Sequence, residues 1–136
     1  MTGREHLDSY KLIKARIRVL QAEIERLRTE AESMGVSLDG MPRGSGAPDK
    51  TARLAVQLAE CEEVLSTELS GLWSKRMEII NNLGRMKDPK HQRLLHLRYI
   101  GGERWEQIAA DLDVSLRWCY SLHDAALIEY EKCNNF

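Results

Sequence analysis

Four histidines, His6, His91, His96 and His123, and three cysteines, Cys61, Cys119 and Cys133, are the residues best suited by type to metal binding or nucleophilic chemistry. Their spacing supports neither. No H-E-x-x-H pair occurs, His91 and His96 stand five apart, a poor spacing for two ligands on one helical face, and no C-x-x-C is present. An odd number of cysteines without a framework reads as buried or half-buried thiols rather than as disulfides. Gly44-Ser45-Gly46-Ala47-Pro48-Asp49-Lys50-Thr51 comes within one residue of the phosphate-cradling G-x-x-x-x-G-K-T loop. Asp49 replaces its second glycine, which would aim a carboxylate at the phosphates, and no strand precedes it. The chain is therefore expected not to be an enzyme and to need neither cofactor nor metal.

The elements that must position any site are helical. In 136 residues there is one Phe and there are three Pro, with 43% hydrophobic and 30% charged residues, a balance that predicts an all-α fold. Apolar runs are only a few residues long, far below the ~18 needed to span a bilayer, and the first residues lack the apolar core of a signal peptide. A cytoplasmic protein with no membrane partner is expected.

Tyr10, Ile13, Ile17, Leu20, Ile24, Leu27, Ala31 and Met34 repeat at alternating spacings of three and four, the seam of a coiled coil, and predict a helix over residues 5–34. Gly35 supplies the left-handed stop. Residues 35–48 hold four of the nine glycines and two of the three prolines and read as a loop. Its length exceeds what joining two antiparallel helices requires, which marks Met41, Arg43, Ser45 and Lys50 as candidates for gripping a partner protein. Asp49 is positioned to cap a second helix, whose apolar positions Leu54, Leu58, Cys61, Leu65, Leu69, Leu72, Ile79 and Leu83 return to one broad face. The seam can pair with this helix or with another chain. Its strict heptad order, against the irregular pattern of the second helix, favours a homodimer through Tyr10, Ile13, Ile17, Leu20, Ile24 and Leu27.

Asp88-Pro89 opens a new unit with an N-cap followed by proline at the first helical position. Three helices follow: residues 89–100, ended by Gly101-Gly102, then residues 105–112, then residues 116–132. The expected organisation is a helical hairpin or coiled coil over residues 1–87 and a three-helix domain over residues 88–136. In the latter, Ile108-Ala109-Ala110-Asp111-Leu112-Asp113-Val114-Ser115 has helix-turn-helix spacing, with Ser115 capping the last helix and Cys119 four residues on. Leu116, Arg117, Trp118, Tyr120, Ser121 and Asp124 should face solvent, whereas Tyr99 and Trp105 should be core.

The segment RLLHLRYIGGERWEQIAADLDVSLRWCYSLHDAAL resembles region four of bacterial sigma factors. The wider layout is similar to small phage and prophage regulators related to the RinA-type activators of phage late genes. It comprises the N-terminal coiled coil, the Gly40–Gly46 loop, the Asp88-Pro89 junction and Arg117-Trp118. The resemblance implies a phage-derived transcriptional regulator in a bacterial host, acting on double-stranded promoter or operator DNA. Arg117, Trp118, Tyr120 and Ser121 would meet the major groove while Arg93, Arg98 and Arg104 hold phosphates. Departures are Arg104 where a capping hydroxyl is usual, and Asp124-Ala125 where a cation is common. Residues 88–136 carry six Lys/Arg against eight Asp/Glu, a weak charge for DNA. This leaves open an adaptor that contacts RNA polymerase without binding DNA, and a DNA-packaging recognition subunit.

Overall fold

The structure, a computed structural model, describes residues 1–35 and 48–136, and all of its regular elements there are helical. They are α1 (Gly3–Ser33), α2 (Pro48–Gly84), α3 (Pro89–Leu95), a π-helical turn (His96–Ile100), α4 (Trp105–Leu112) and α5 (Leu116–Asn134). No described helix is long and apolar enough to cross a membrane. Met41, Arg43 and Ser45, candidates for partner contact, lie outside the described residues. Lys50 is not on a loop: it is an exposed residue in the first turn of α2, and Asp49 sits inside that turn rather than capping it.

Local chemistry sets most of the boundaries. Thr2 and Glu5 form a capping box, in which Thr2 Oγ1 accepts from the Glu5 amide at 3.1 Å and Glu5 Oε2 accepts from the Thr2 amide at 3.2 Å. This starts α1 two residues before the apolar repeat suggested. Asp88 accepts from the amides of Lys90 (2.9 Å) and His91 (3.5 Å), the cap expected from Asp88-Pro89. The helix read over residues 89–100 changes register at His96, where the Gly101 amide reaches back five residues to the His96 carbonyl at 2.9 Å. Glycine is required at the exit. A Cβ on Gly101 would lie 2.8 Å from the Leu97 carbonyl oxygen, and Gly102 has a φ of +66°.

The chain divides into two compact units, one of residues 1–12 with 72–136 and the other of residues 13–71. The boundary read at residue 88 thus falls inside the first unit, because Leu7, Tyr10, Ile79, Leu83 and Met86 are buried in the same core as Leu94, Leu95, Ile108, Cys119, Ala126 and Tyr130. Fully burying side chains of this kind stabilises by roughly 1.5–3 kcal/mol each. Tyr99, Trp105, Leu112, Val114, Leu122 and Leu127 pack against that core.

In the second unit Ile24, Leu27 and Ala31 of α1 form one cluster with Leu54 and Leu58 of α2, with Met34, Cys61 and Leu65 alongside. Ile17 is buried as well, while Ile13 and Leu20 are half-buried. The last part of the seam therefore meets α2 of its own chain. Leu69, read as part of the inner face of α2, is instead exposed.

Candidate nucleic-acid interface

The segment from Trp105 to Asn134 builds two helices around a three-residue turn. α4 ends where Asp113 takes a left-handed conformation (φ 54°), one that aspartate tolerates better than most residues. The Val114 amide then donates to the Ala109 carbonyl at 3.0 Å. Ser115 caps α5, its hydroxyl accepting from the Trp118 amide at 3.1 Å. Ile108, Ala109 and Cys119 are buried at the crossing. α4 itself starts at Arg104 without a side-chain cap, as the residue type implies.

This arrangement presents Leu116, Arg117, Trp118, Tyr120, Ser121 and Asp124 to solvent, the set expected from sequence. Trp118 is 56% exposed, so little of the chain itself covers its indole. Ser121 Oγ donates to the Arg117 carbonyl at 3.4 Å. Tyr120 keeps one ring edge against Trp105, with centroids 5.3 Å apart.

Of the three arginines assigned to phosphate contact, Arg93 and Arg104 are exposed and Arg98 is not free. Its guanidinium lies 4.5 Å from the centroid of the Trp105 ring and donates to the Glu103 carbonyl at 3.0 Å, which holds the Gly101–Glu103 exit in place. Arg98 is a brace for the loop that precedes α4.

The electrostatics of the face are mixed. Arg104 and Arg117 are its exposed cations between residues 104 and 125, set against Glu106, Asp111, Asp113 and Asp124. Loss of solvent, together with a hydrogen bond that protonated Glu103 donates to the Asp111 carboxylate and repulsion between the two, outweighs the attraction of Arg93 and raises Glu103 above the ordinary carboxylate value. Residues Lys87, Lys90 and Arg93 add exposed cations around the start of α3.

Two buried histidine centres, invisible to spacing rules, stiffen the support behind this face. His123 Nε2 meets Tyr99 Oη at 2.8 Å, and its ring lies edge-on to Trp105 at 4.6 Å. Burial, helped by Arg4 and Arg98 and opposed by Asp124 and Asp8, lowers the His123 pKa; burial likewise raises that of Tyr99. In the second centre His6 Nδ1 lies 2.8 Å from Tyr130 Oη and His6 Nε2 lies 2.7 Å from Glu78 Oε1. Asn82 Nδ2 donates to the same Tyr130 oxygen at 3.0 Å. Burial pushes Tyr130 up to about 12 against the opposing Asn82 hydrogen bond. The His6 hydrogen bond, with Lys75 nearby, holds Glu78 below the ordinary carboxylate value.

His91 belongs to a third polar contact. Glu129 Oε1 meets His91 Nδ1 at 2.9 Å while its Oε2 accepts from the Lys87 amide at 3.0 Å and the Asp88 amide at 3.4 Å. Burial raises Glu129, but these donors together outweigh it and leave the carboxylate pKa lowered. All three centres tie α5 to sequence-distant segments. Phe136 lies against the His6 centre, stacking on Tyr130 at 5.7 Å and lying 4.9 Å from His6. Among the described residues no group of His, Cys, Asp and Glu is arranged to hold a metal ion.

Comparison with protein-family models, with curated proteins and with solved structures found no match.

Proposed function

We propose that residues 88–136 act as a sigma-region-four-like helix-turn-helix, that α1 and α2 form an antiparallel hairpin preceding it in the chain, and that the chain is a phage-derived regulator of transcription. The reading rests on the resemblance of that segment to region four and on one geometric observation. The left-handed turn at Asp113 and the Ser115 cap leave Arg117, Trp118, Tyr120 and Ser121 together on the open face of the first turns of α5. In this reading Arg117 reaches a guanine edge through its two-pronged guanidinium, Trp118 packs on the groove wall, and Arg93 and Arg104 hold phosphates. Arg98, half-buried with one N–H on the Glu103 carbonyl and its guanidinium over Trp105, is the least available of the three for phosphate in this reading.

A second reading is favoured by the same face. Four exposed carboxylates beside Leu116, Trp118 and Tyr120 suit a basic, partly apolar protein surface such as a polymerase subunit better than they suit phosphate. Recovery of the tagged protein from its bacterial host, with sequencing of bound DNA and mass spectrometry of bound proteins, separates the two. A discrete duplex site supports the regulator that binds DNA directly. Polymerase subunits without DNA overturn it in favour of the adaptor.

A further inference from the structure

The outer face of α2 carries an exposed aromatic knob and, further on, a hollow. Trp73 is 65% exposed and Met77 projects beside it one turn on. Further along the same face, Ile80, Leu83 and Gly84 of α2 and Pro89, Gln92 and His96 beyond it line a hollow of about 290 Å³. Gly84 leaves that hollow open, since a Cβ there would meet nothing within 4 Å. Positions 73, 77, 80 and 84 follow one another at spacings of four, three and four and so share one side of the helix.

The charged residues of this stretch are engaged elsewhere. Arg76 donates to Tyr10 Oη at 3.3 Å, and Glu78 meets both His6 and Lys75. With Arg93 beyond α2 as the one charged residue lining the hollow, a side of α2 that is itself apolar and uncharged on a helix otherwise rich in ionic residues has the composition of a desolvated contact core.

We infer that this side is the contact between two copies of the chain, paired antiparallel about a two-fold axis that passes between the two α2 helices at the level midway between Met77 and Ile80. That axis sets Trp73 of each copy over Gly84 of the other, about 16 Å apart along one helix, and sets Met77 against Ile80. Large side chain meets absent side chain, twice, which is the self-complementarity that an isologous contact demands. The indole enters the hollow beside His96, where Pro89 and Ile80 supply apolar walls. The α1 seam, where the sequence alone places a dimer contact, already commits Ile24, Leu27 and Ala31 to α2 of the same chain. The inference is independent of the DNA reading, although Arg93 lines the hollow and would be shared between partner and phosphate.

Sedimentation of the full chain without DNA tests it. The unmodified protein is expected to form dimers. Trp73→Glu removes the knob and Gly84→Leu fills the hole, so each should weaken self-association about 30-fold or more, the loss typical of a central aromatic anchor. Both substitutions sit on open surface, and an unchanged circular dichroism spectrum verifies the fold. Mixing the two variants restores one of the two junctions and should recover association to an intermediate strength. A monomeric unmodified protein, dimers indifferent to either substitution, or no recovery on mixing overturns the inference.

Discussion

The two compact units are held together by different physics. Residues 1–12 with 72–136 contain all three buried polar side chains found among the described residues, His6, Asn82 and His123, and each has named partners at hydrogen-bond distance. Residues 13–71 have an apolar cluster and the ion pairs Arg28 with Glu62 at 3.0 Å and Arg16 with Glu68 at 3.9 Å, in which every side chain but the partly covered Glu68 is about half exposed or more. Exposed pairs of this kind contribute under about 1 kcal/mol each. Directional contacts inside a core fix one arrangement, because a shift of one residue would orphan a buried donor. An apolar seam with surface charges sets no comparable penalty on register. The unit that presents Arg117 and Trp118 is thus the one built for a single geometry.

The sharpest difference should appear on truncating the cores. Leu94→Ala, at a site with no exposure in the larger cluster, is expected to cost about 2–5 kcal/mol in urea unfolding, whereas Leu58→Ala, at the rim of the smaller cluster, should fall at the low end of that range. Equal costs would break the comparison. Amide exchange offers the same contrast without substitution, with residues 79–83 and 119–126 expected to be better protected than residues 17–31.

Removing one oxygen comes next. Tyr130→Phe keeps the ring stacked near His6 and Phe136 but leaves Asn82 and His6 without their shared partner, at an expected cost of about 1–3 kcal/mol. A neutral result would mean that the His6 centre contributes packing alone.

The smallest effect is a pH dependence. His123 has a lowered pKa in the fold, mainly through burial, so the unfolded chain, with a value near ~6.5, takes up the proton first. The stability due to neutral His123 is complete above that value and is lost as pH falls from it toward the folded pKa. Glu78 and Glu129, whose carboxylates are held low, contribute above their unfolded values and lose that contribution only as pH falls through their folded ones. Between pH 7.5 and 5.5, roughly spanning the histidine window, the unmodified protein should lose stability to urea and His123→Gln should lose less. Parallel losses in both would contradict this assignment.

Periodicity and caps made much of this legible. The α4 bounds, the Asp113-Val114-Ser115 turn, the Gly101-Gly102 stop and the outward set from Leu116 to Asp124 follow from residue type and spacing. Thr2 and Glu5 carried a capping box that would have placed the start of α1 correctly. The change to π geometry at His96 has no local marker, since residues 93–100 read as an ordinary helix until the Gly101 amide finds its fifth-residue partner. The unit boundary was hidden for a different reason. Leu7, Tyr10, Ile79 and Leu83 belong to heptads continuous with their neighbours, and only packing reveals that they serve the core around α3 to α5. Arg98 illustrates the limit for sites, because the sequence places a cation near the exposed face of α5 but does not reveal its stacking on Trp105.

The central claim, direct reading of duplex DNA by the open face of α5, is tested most directly by fluorescence anisotropy with a selected and a random duplex across a range of salt. With Arg93, Arg104 and Arg117 as the contacts, a shallow salt dependence is expected, with a slope of roughly −0.9 per neutralised phosphate. Arg117→Ala should cost about 1–3 kcal/mol on the selected duplex and reduce its preference over the random one, while Arg104→Ala should weaken both alike. Equal binding of the two duplexes by the unmodified protein and by Arg117→Ala, or no binding at low salt, would contradict the claim.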